Sequence, residues 1–357
     1  MEKNLIVEWV LGASGKYEID LAESGIQYHY LRDFKIGRGC NLNYSSDAGS
    51  PELREKISKL YRVKKENVLI TNGSQEAMYI LLNVLLREGD EVVIISPGWQ
   101  QYEEVAKKIG AKIKKLFLDP KEDFQLNPSD LKKLISKKTK AVIINSPHNP
   151  TGLKFDIKKI KTIIPKGVFL INDEVYLLNP NESVTYNCED KNFISVGSLS
   201  KIQGVPGIRI GWMIGLKSIV DEAINYRRYT TISNSALGED IALEIFKDYS
   251  KYLKEYHNLV SRGFHTLKKW VEEQKGIKLI KPHGTPFALI KYKFNIPSKD
   301  LCEQILNKEK VLLVPGSSFG TENCFRISFG RDPEILNKGL RKISRFFGNI
   351  NENSDSK

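Results

Sequence analysis

The chain has 357 residues, 41% hydrophobic and 27% charged, enough for a full-sized core and a second, smaller one. No stretch approaches the roughly 18 uncharged apolar residues of a membrane span, and the opening MEKNLIVEWVLGASGKY sets Glu2, Lys3 and Glu8 around a short apolar run, so a cytoplasmic globular protein without a membrane partner is expected. The net charge of +12 raises nucleic-acid binding, but lysine pairs such as Lys107–Lys108, Lys132–Lys133, Lys137–Lys138 and Lys158–Lys159 fall inside amphipathic helical patterns whose solvated faces explain them; no nucleic-acid partner is expected.

In chain order, the apolar runs NVLIT (67–71), EVVIIS (91–96), KIKKLFL (112–118), KAVIINS (140–146), VFLIND (168–173), FISVGS (193–198) and IRIGWMI (208–214) predict strands, several buried on both faces. Between them SQEAMYILLNVLL (74–86), QYEEVAKKIG (101–110) and PSDLKKLIS (128–136) predict helices, with Gly110 closing one and Pro128 opening another. The alternation implies an α/β class: a three-layer α/β/α large domain with a mostly parallel sheet. After about residue 216 long helical stretches take over. From Gly276 onward IKLIKP, FALIKYKF, VLLVPG and CFRISFG alternate with helices near 298–309 and 333–347, which predicts a smaller α+β domain. Residues 1–35 have no strand ladder of their own and are expected to pack beside it. The expected boundaries are 1–40 for that amino-terminal segment, 41–255 for the large domain, 256–349 for the small one, and 350–357 for a disordered tail ending in NENSDSK. Cys40, Cys188, Cys302 and Cys324 are scattered, without C-x-x-C pairs or histidines at ligand spacing, so reduced thiols and no metal are expected.

Open α/β sheets bind ligands at the carboxyl ends of their strands. After VLIT comes NGSQEA, in which Gly73, Ser74 and Gln75 open a helix whose free N–H groups suit a phosphate. After VVIIS comes PGWQQY with Trp99; after AVIIN comes SPHNPTG with Asn149; after VFLIN come Asp173 and Tyr176; after FISVG comes SLSKIQGVPGIRIGW with Ser198, Ser200, Lys201 and Arg209. Each feature alone is an ordinary turn, cap or core residue. Together they form a phosphate cradle, an aromatic plate, an amide, a carboxylate and a lysine on one sheet edge. That set matches what an aldehyde cofactor with a phosphate tail and a pyridine ring would require. Lys201 can form a Schiff base with it if burial and neighbouring cations draw its pKa well below the reference value of about 10.4. Asp173 would face the ring nitrogen, Asn149 and Tyr176 the ring hydroxyl, and Trp99 the ring face. Ser198, Ser200, Arg209 and the helix opening would hold the phosphate.

NSPHNPTG, NDEVY and SLSKIQGVPGIRIGW, in this order and spacing, resemble the signature of fold-type I pyridoxal-phosphate enzymes, the class I/II aminotransferases, over about Leu42 to Phe347. The resemblance implies a cofactor-binding large domain, a small domain made of both chain ends, and a homodimer with shared active sites. It further implies that Tyr44, ahead of AGSPELREKI, reaches the neighbouring subunit's cofactor phosphate, and that Arg326 in FRISFG binds the substrate α-carboxylate. Gln203 and Gly204 depart from the usual family residues after the lysine. The amino-terminal VEWVLGASGKYEIDLAESGIQYHYLRDF is more similar to a branch that includes capreomycidine synthase, which cyclises a hydroxylated arginine. In the family this segment covers the substrate, with Gly25 near the carboxylate. His29 and Glu23 are candidates to face the substrate, the alternative being solvated loop residues.

The expected activity is transamination between an L-amino acid and a 2-oxo acid. The alternative is a cyclase or lyase acting on an arginine-type amino acid. A transcription regulator with an aminotransferase-like sensor would need a helix-turn-helix ahead of residue 40, for which the pattern is missing.

Overall fold

The computed structural model describes residues 3–35, 40–187 and 192–355; Cys188 lies outside them, and Cys40, Cys302 and Cys324 are free thiols. The chain begins with α1 (Leu5–Gly12), β1 (Ile19–Asp20), α2 (Pro51–Tyr61) and β2 (Val68–Thr71). It continues through α3 (Ser74–Leu85), β3 (Glu91–Ser96), α4 (Gln101–Ile109), β4 (Lys112–Phe117), α5 (Pro128–Leu134), β5 (Thr139–Asn145), α6 (Ile157–Ile163), β6 (Phe169–Asp173), β7 (Phe193–Ser198) and β8 (Gly211–Ile214). The strands β2 to β8 form one seven-stranded sheet in the order β2-β8-β7-β6-β5-β3-β4, parallel except for β8, which runs antiparallel to both neighbours.

The apolar runs are continuous because both faces are covered. In β3 and β5 the period-two alternation sends Val92, Ile94, Ala141 and Ile143 into one apolar cluster with α3 residues such as Leu81 and Leu82. Val93, Ile95, Val142 and Ile144 enter a second cluster with Leu131 of α5 and Ile160 of α6. The valines and isoleucines among these each contribute roughly 1.5–3 kcal/mol on full burial, which anchors the middle of the sheet. Gly110 ends α4 in a left-handed conformation (φ 88°), where its backbone N–H donates to Ala106 and Lys107 carbonyls.

The predicted strand over 208–214 starts later than expected. Pro206 opens a 3-10 turn over Pro206–Ile208, and Arg209 follows with φ 57°, so the extended backbone begins only at Gly211.

Beyond β8 come α7 (Lys217–Arg227), α8 (Ala236–Lys247), the 24-residue α9 (Tyr249–Glu272), β9 (Ile277–Leu279), β10 (Phe287–Tyr292), α10 (Ser298–Glu309), β11 (Val311–Leu312), β12 (Val314–Pro315), β13 (Cys324–Ser328) and α11 (Pro333–Asp355). An antiparallel sheet in the order β12-β13-β10-β9 packs on α9, α10 and α11. The amino-terminal β1 pairs in parallel with β11, and Ile19, Leu21 and Ile26 enter the same apolar cluster as Tyr256, Phe325, Phe329 and Phe347. Helix α11 continues to Asp355, past position 350 where the sequence predicts a tail. Three of the lysine pairs lie on solvated helix faces, where Lys107 pairs with Glu103 and Glu104, Lys133 with Asp130, and Lys159 with Asp156; Lys137–Lys138, expected in a helix, instead lie exposed in the turn between α5 and β5.

Candidate active site

A cavity of about 290 Å³ opens at the carboxyl ends of β5, β6 and β7. Asp173 is the last residue of β6. Its Oδ2 accepts from Tyr102 Oη (2.6 Å) and its Oδ1 from Val175 N (3.2 Å). Burial pushes the Asp173 pKa up, opposed by the Tyr102 hydroxyl, the Val175 N–H and the Lys201 ammonium, and the net shift is upward. Asn145 ends β5 and locks the loop: its Nδ2 donates to Asp173 O (2.9 Å), while its Oδ1 accepts from Asn149 N (2.8 Å).

Gly73 has φ 81°, and no side chain caps the first turn of α3, so the opening N–H groups are free for an anion. A Cβ at Gly73 would lie 2.3 Å from Arg209 Nη2, so glycine is what lets the guanidinium approach. The left-handed Arg209 anchors its fork on Pro206 O (2.9 Å) and Asn72 O (3.2 Å). Ser74, Gln75, Trp99, Ser200 and Arg209 line the cavity, whereas Ser198 is buried behind it and its Oγ accepts from Ser200 N (3.2 Å).

Lys201 reaches the cavity from the turn after β7. Its Nζ donates to Glu23 Oε1 (3.0 Å) and Ser24 Oγ (2.9 Å). The expected lowering of its pKa is not found. Burial pulls it down, but the Glu23 carboxylate and Tyr176 outweigh burial, and the net shift is upward. Arg326 acts in the expected downward direction, but the Glu23 carboxylate, which the expectation leaves out, acts against it. Glu23 shows the mirror image: burial raises its pKa, and Lys201 and the Gly25 N–H bring it well below the usual carboxylate range.

Arg326 sits on β13 between β12 and β10, paired in register with Val314 and Leu289, and is 3% exposed. Its Nη1 donates to Asn149 Oδ1 (2.7 Å) and its Nη2 to Ala22 O (2.5 Å), while its buried Nε has no protein partner. Phe287 and Phe319 flank the guanidinium at 5.1 and 5.2 Å. Tyr176 is buried in the cavity wall against Phe287, with ring centroids 5.1 Å apart.

Gly25 abuts the lysine turn: a Cβ there would lie 3.2 Å from Ser200 O. The segment around it is fastened by Ile26 N to Lys201 O (3.2 Å) and by Arg331, which donates to the carbonyls of Asp20 (3.2 Å), Glu23 (3.1 Å) and Gly25 (2.8 Å). His29 turns away from the cavity. Its ring packs edge-on against Phe34 and Tyr252, its Nδ1 lies 3.6 Å from Asp33 Oδ2, and its backbone N–H is tied to Gly204 O, so the substrate-facing role expected for it is not supported. Tyr44 is 79% exposed and outside this chain's own cavity. Sequence reasoning missed Tyr102, Ser24 and Arg331. Only Tyr102, in PGWQQY beside Trp99, left a signal.

The family model described as Aminotransferase class I and II matches residues 19–343. The chain belongs to this family. The match begins ahead of Leu42 and so takes in the segment carrying Glu23 and Gly25. Among curated relatives, this aminotransferase-family chain is 28% identical to aspartate aminotransferase of Bacillus subtilis (strain 168), over 86% of this chain and 84% of that one. It is 29% identical to capreomycidine synthase of Streptomyces vinaceus, over 84% and 79%. Among solved structures, a PLP-dependent aminotransferase from Streptococcus suis 89-1591 superposes with a TM-score of 0.90 at 28% identity, covering 98% of both chains.

Proposed function

We propose that the chain is a pyridoxal 5′-phosphate-dependent aminotransferase that moves the amino group of an L-amino acid onto a 2-oxo acid. The observation that carries this reading is a cavity lined by the Lys201 amine, the buried Asp173 carboxylate, the open first turn of α3, Arg209 and Asn149, with Arg326, its Nε unpartnered, bonded to that Asn149. The residues fit the cofactor. Gly73, Ser74, Gln75, Ser200 and Arg209 hold the phosphate, with Ser198 supporting Ser200. Asp173 faces the pyridine nitrogen, Asn149 Nδ2 and Tyr176 the ring hydroxyl, and Trp99 the ring face.

When bound, the cofactor supplies an aldehyde that condenses with amines and a ring that takes up the electron pair released at the substrate α-carbon. Arg326 binds the α-carboxylate and, through Asn149, couples that contact to the cofactor's position. Lys201 Nζ takes the α-proton and returns it one position along; in between, Glu23 and Ser24 hold the ammonium it has become. Tyr102 and the Val175 N–H favour the ionised form of Asp173 and oppose the upward push of its burial.

The functional unit in this reading is a cytoplasmic homodimer. The large domain spans 41–255 and the small one 256–349 with the amino-terminal segment packed on it. Tyr44 of each chain reaches the neighbouring chain's phosphate. In support, exposed Leu42, Tyr44, Tyr229, Ile232 and Leu237 flank one region tied together by the Arg228–Asp47 ion pair (2.6 Å) and the Ser45–Glu239 hydrogen bond.

An aminotransferase must be reloaded after each half-reaction, whereas a cyclase or lyase resets itself. With its best amino acid alone, the enzyme is expected to complete one turnover per site and to continue only when 2-oxoglutarate or pyruvate is added. Many turnovers without an oxo acid would replace this reading by the cyclase or lyase one.

A further inference from the structure

Resting on the reading of this cavity as an aminotransferase site, we infer that Glu23 selects amino acids with a cationic side chain, an amine or a guanidine, and rejects dicarboxylic ones. The carboxylate occupies a defined position. Its Oε1 is 3.0 Å from Lys201 Nζ, and the residue before it, Ala22, supplies the carbonyl that Arg326 grips. The acid is thus one residue along the chain from the carbonyl that holds the α-carboxylate's anchor, Arg326, and in contact with the amine that works at the α-carbon. It is also held there. Arg331 clamps the carbonyls of Asp20, Glu23 and Gly25, Ile26 N is bonded to Lys201 O, and the Glu23 and Ala22 N–H groups both donate to Asp20 Oδ1.

The charge balance changes during the reaction. In the free chain Lys201 is the counter-ion of Glu23. Once that nitrogen is joined to the cofactor, or stands neutral to receive a proton, Glu23 retains the Gly25 N–H and the Tyr28 hydroxyl but no ammonium. A part-buried carboxylate in that condition attracts a cation and repels an anion. Among the described residues, Lys201 and Arg209 are the cations that line the cavity; Arg326 acts on Glu23 from beyond the lining while bonded to Asn149 and Ala22, and Arg331 holds the backbone of the segment, so each already has a task. A side-chain carboxylate of the substrate would meet Glu23 without a spare cation of this chain to offset it. An amine or guanidine would pair with the carboxylate through Oε2, since Oε1 is the oxygen that Lys201 and the Gly25 N–H use.

The test uses full-length holoenzyme and amino acids methylated at the α-carbon, which bind but have no α-proton to lose. Dissociation constants are read from the absorbance change of the bound cofactor for 2-methylornithine, 2-methylaspartate and 2-methylalanine. Wild type should bind 2-methylornithine at least tenfold more tightly than 2-methylaspartate, Glu23→Gln should bring that ratio to within about threefold of unity, and Glu23→Asp should preserve its direction. Using the ratio cancels any effect of the substitutions on Lys201 itself, and the wild-type order alone decides the matter if a variant fails to fold. Equal affinities in wild type, a preference for 2-methylaspartate, or a ratio unchanged in Glu23→Gln overturns the inference while leaving the aminotransferase reading intact. Failure of all three compounds, 2-methylalanine included, to perturb the cofactor sinks that reading and this inference with it.

Discussion

Lys201→Ala is expected to lower the rate of amino-group transfer by a factor on the order of 10⁴ or more, because the substitution removes both the amine that joins the cofactor and the base that moves the proton. Among the described residues no other lysine lines the cavity. The variant should still fold: Lys201 projects from a turn into a cavity, while Leu199, Ile202 and Val205 around it keep their places in the core. It leaves Glu23 without its ion pair, and water entering the cavity offsets part of that loss. Single-turnover kinetics with a saturating amino acid, alongside circular dichroism of the variant, checks this. Wild-type rates in Lys201→Ala would refute the assignment.

Arg326→Ala should cost about 2–4 kcal/mol of transition-state stabilisation, roughly two to three decades in kcat/KM for amino acids. A charge-assisted fork is lost, and neither water nor the flanking rings of Phe287 and Phe319 reproduce it. The same guanidinium donates to Asn149 Oδ1 and Ala22 O, so the variant also leaves two buried acceptors short of a donor. Cofactor affinity is therefore expected to weaken, by far less than amino-acid affinity, since Arg209 and the α3 turn are untouched. Arg326→Lys should recover part of the binding, as it keeps the charge and loses the fork. Release of the cofactor from Arg326→Ala with amino-acid affinity intact would contradict the account.

Asn145, Asp173 and Ser198 end three neighbouring parallel strands, which is why the site could be read from apolar runs followed by polar residues. The same reasoning led to Asn149, Tyr176, Lys201 and Arg209, each within a few residues of a strand end. It did not reach Tyr102, whose hydroxyl extends from the first turn of α4 to Asp173 at the end of β6, or Arg331, whose partners lie about 310 positions away in the amino-terminal segment. Nor did it anticipate the direction of the Lys201 shift, since Glu23 is 178 positions distant in sequence and 3.0 Å away in space. His29 is the converse case: four residues from Gly25 in sequence, its backbone N–H bonds to Gly204 and its ring joins a cluster with Phe34 and Tyr252, neither of the two placements the sequence offers for it. The left-handed Arg209 was hidden because a run reading IRIGWMI is as good a strand by pattern as any other.

The most direct test of the account is to find the nitrogen that the cofactor joins. Protein incubated with pyridoxal 5′-phosphate is treated with borohydride, which makes that bond permanent, then digested and mapped by mass spectrometry. The modification should lie at Lys201, near one per chain, and should disappear in Lys201→Ala. A label confined to other lysines, or no stable label in protein that is fully folded, would contradict the account.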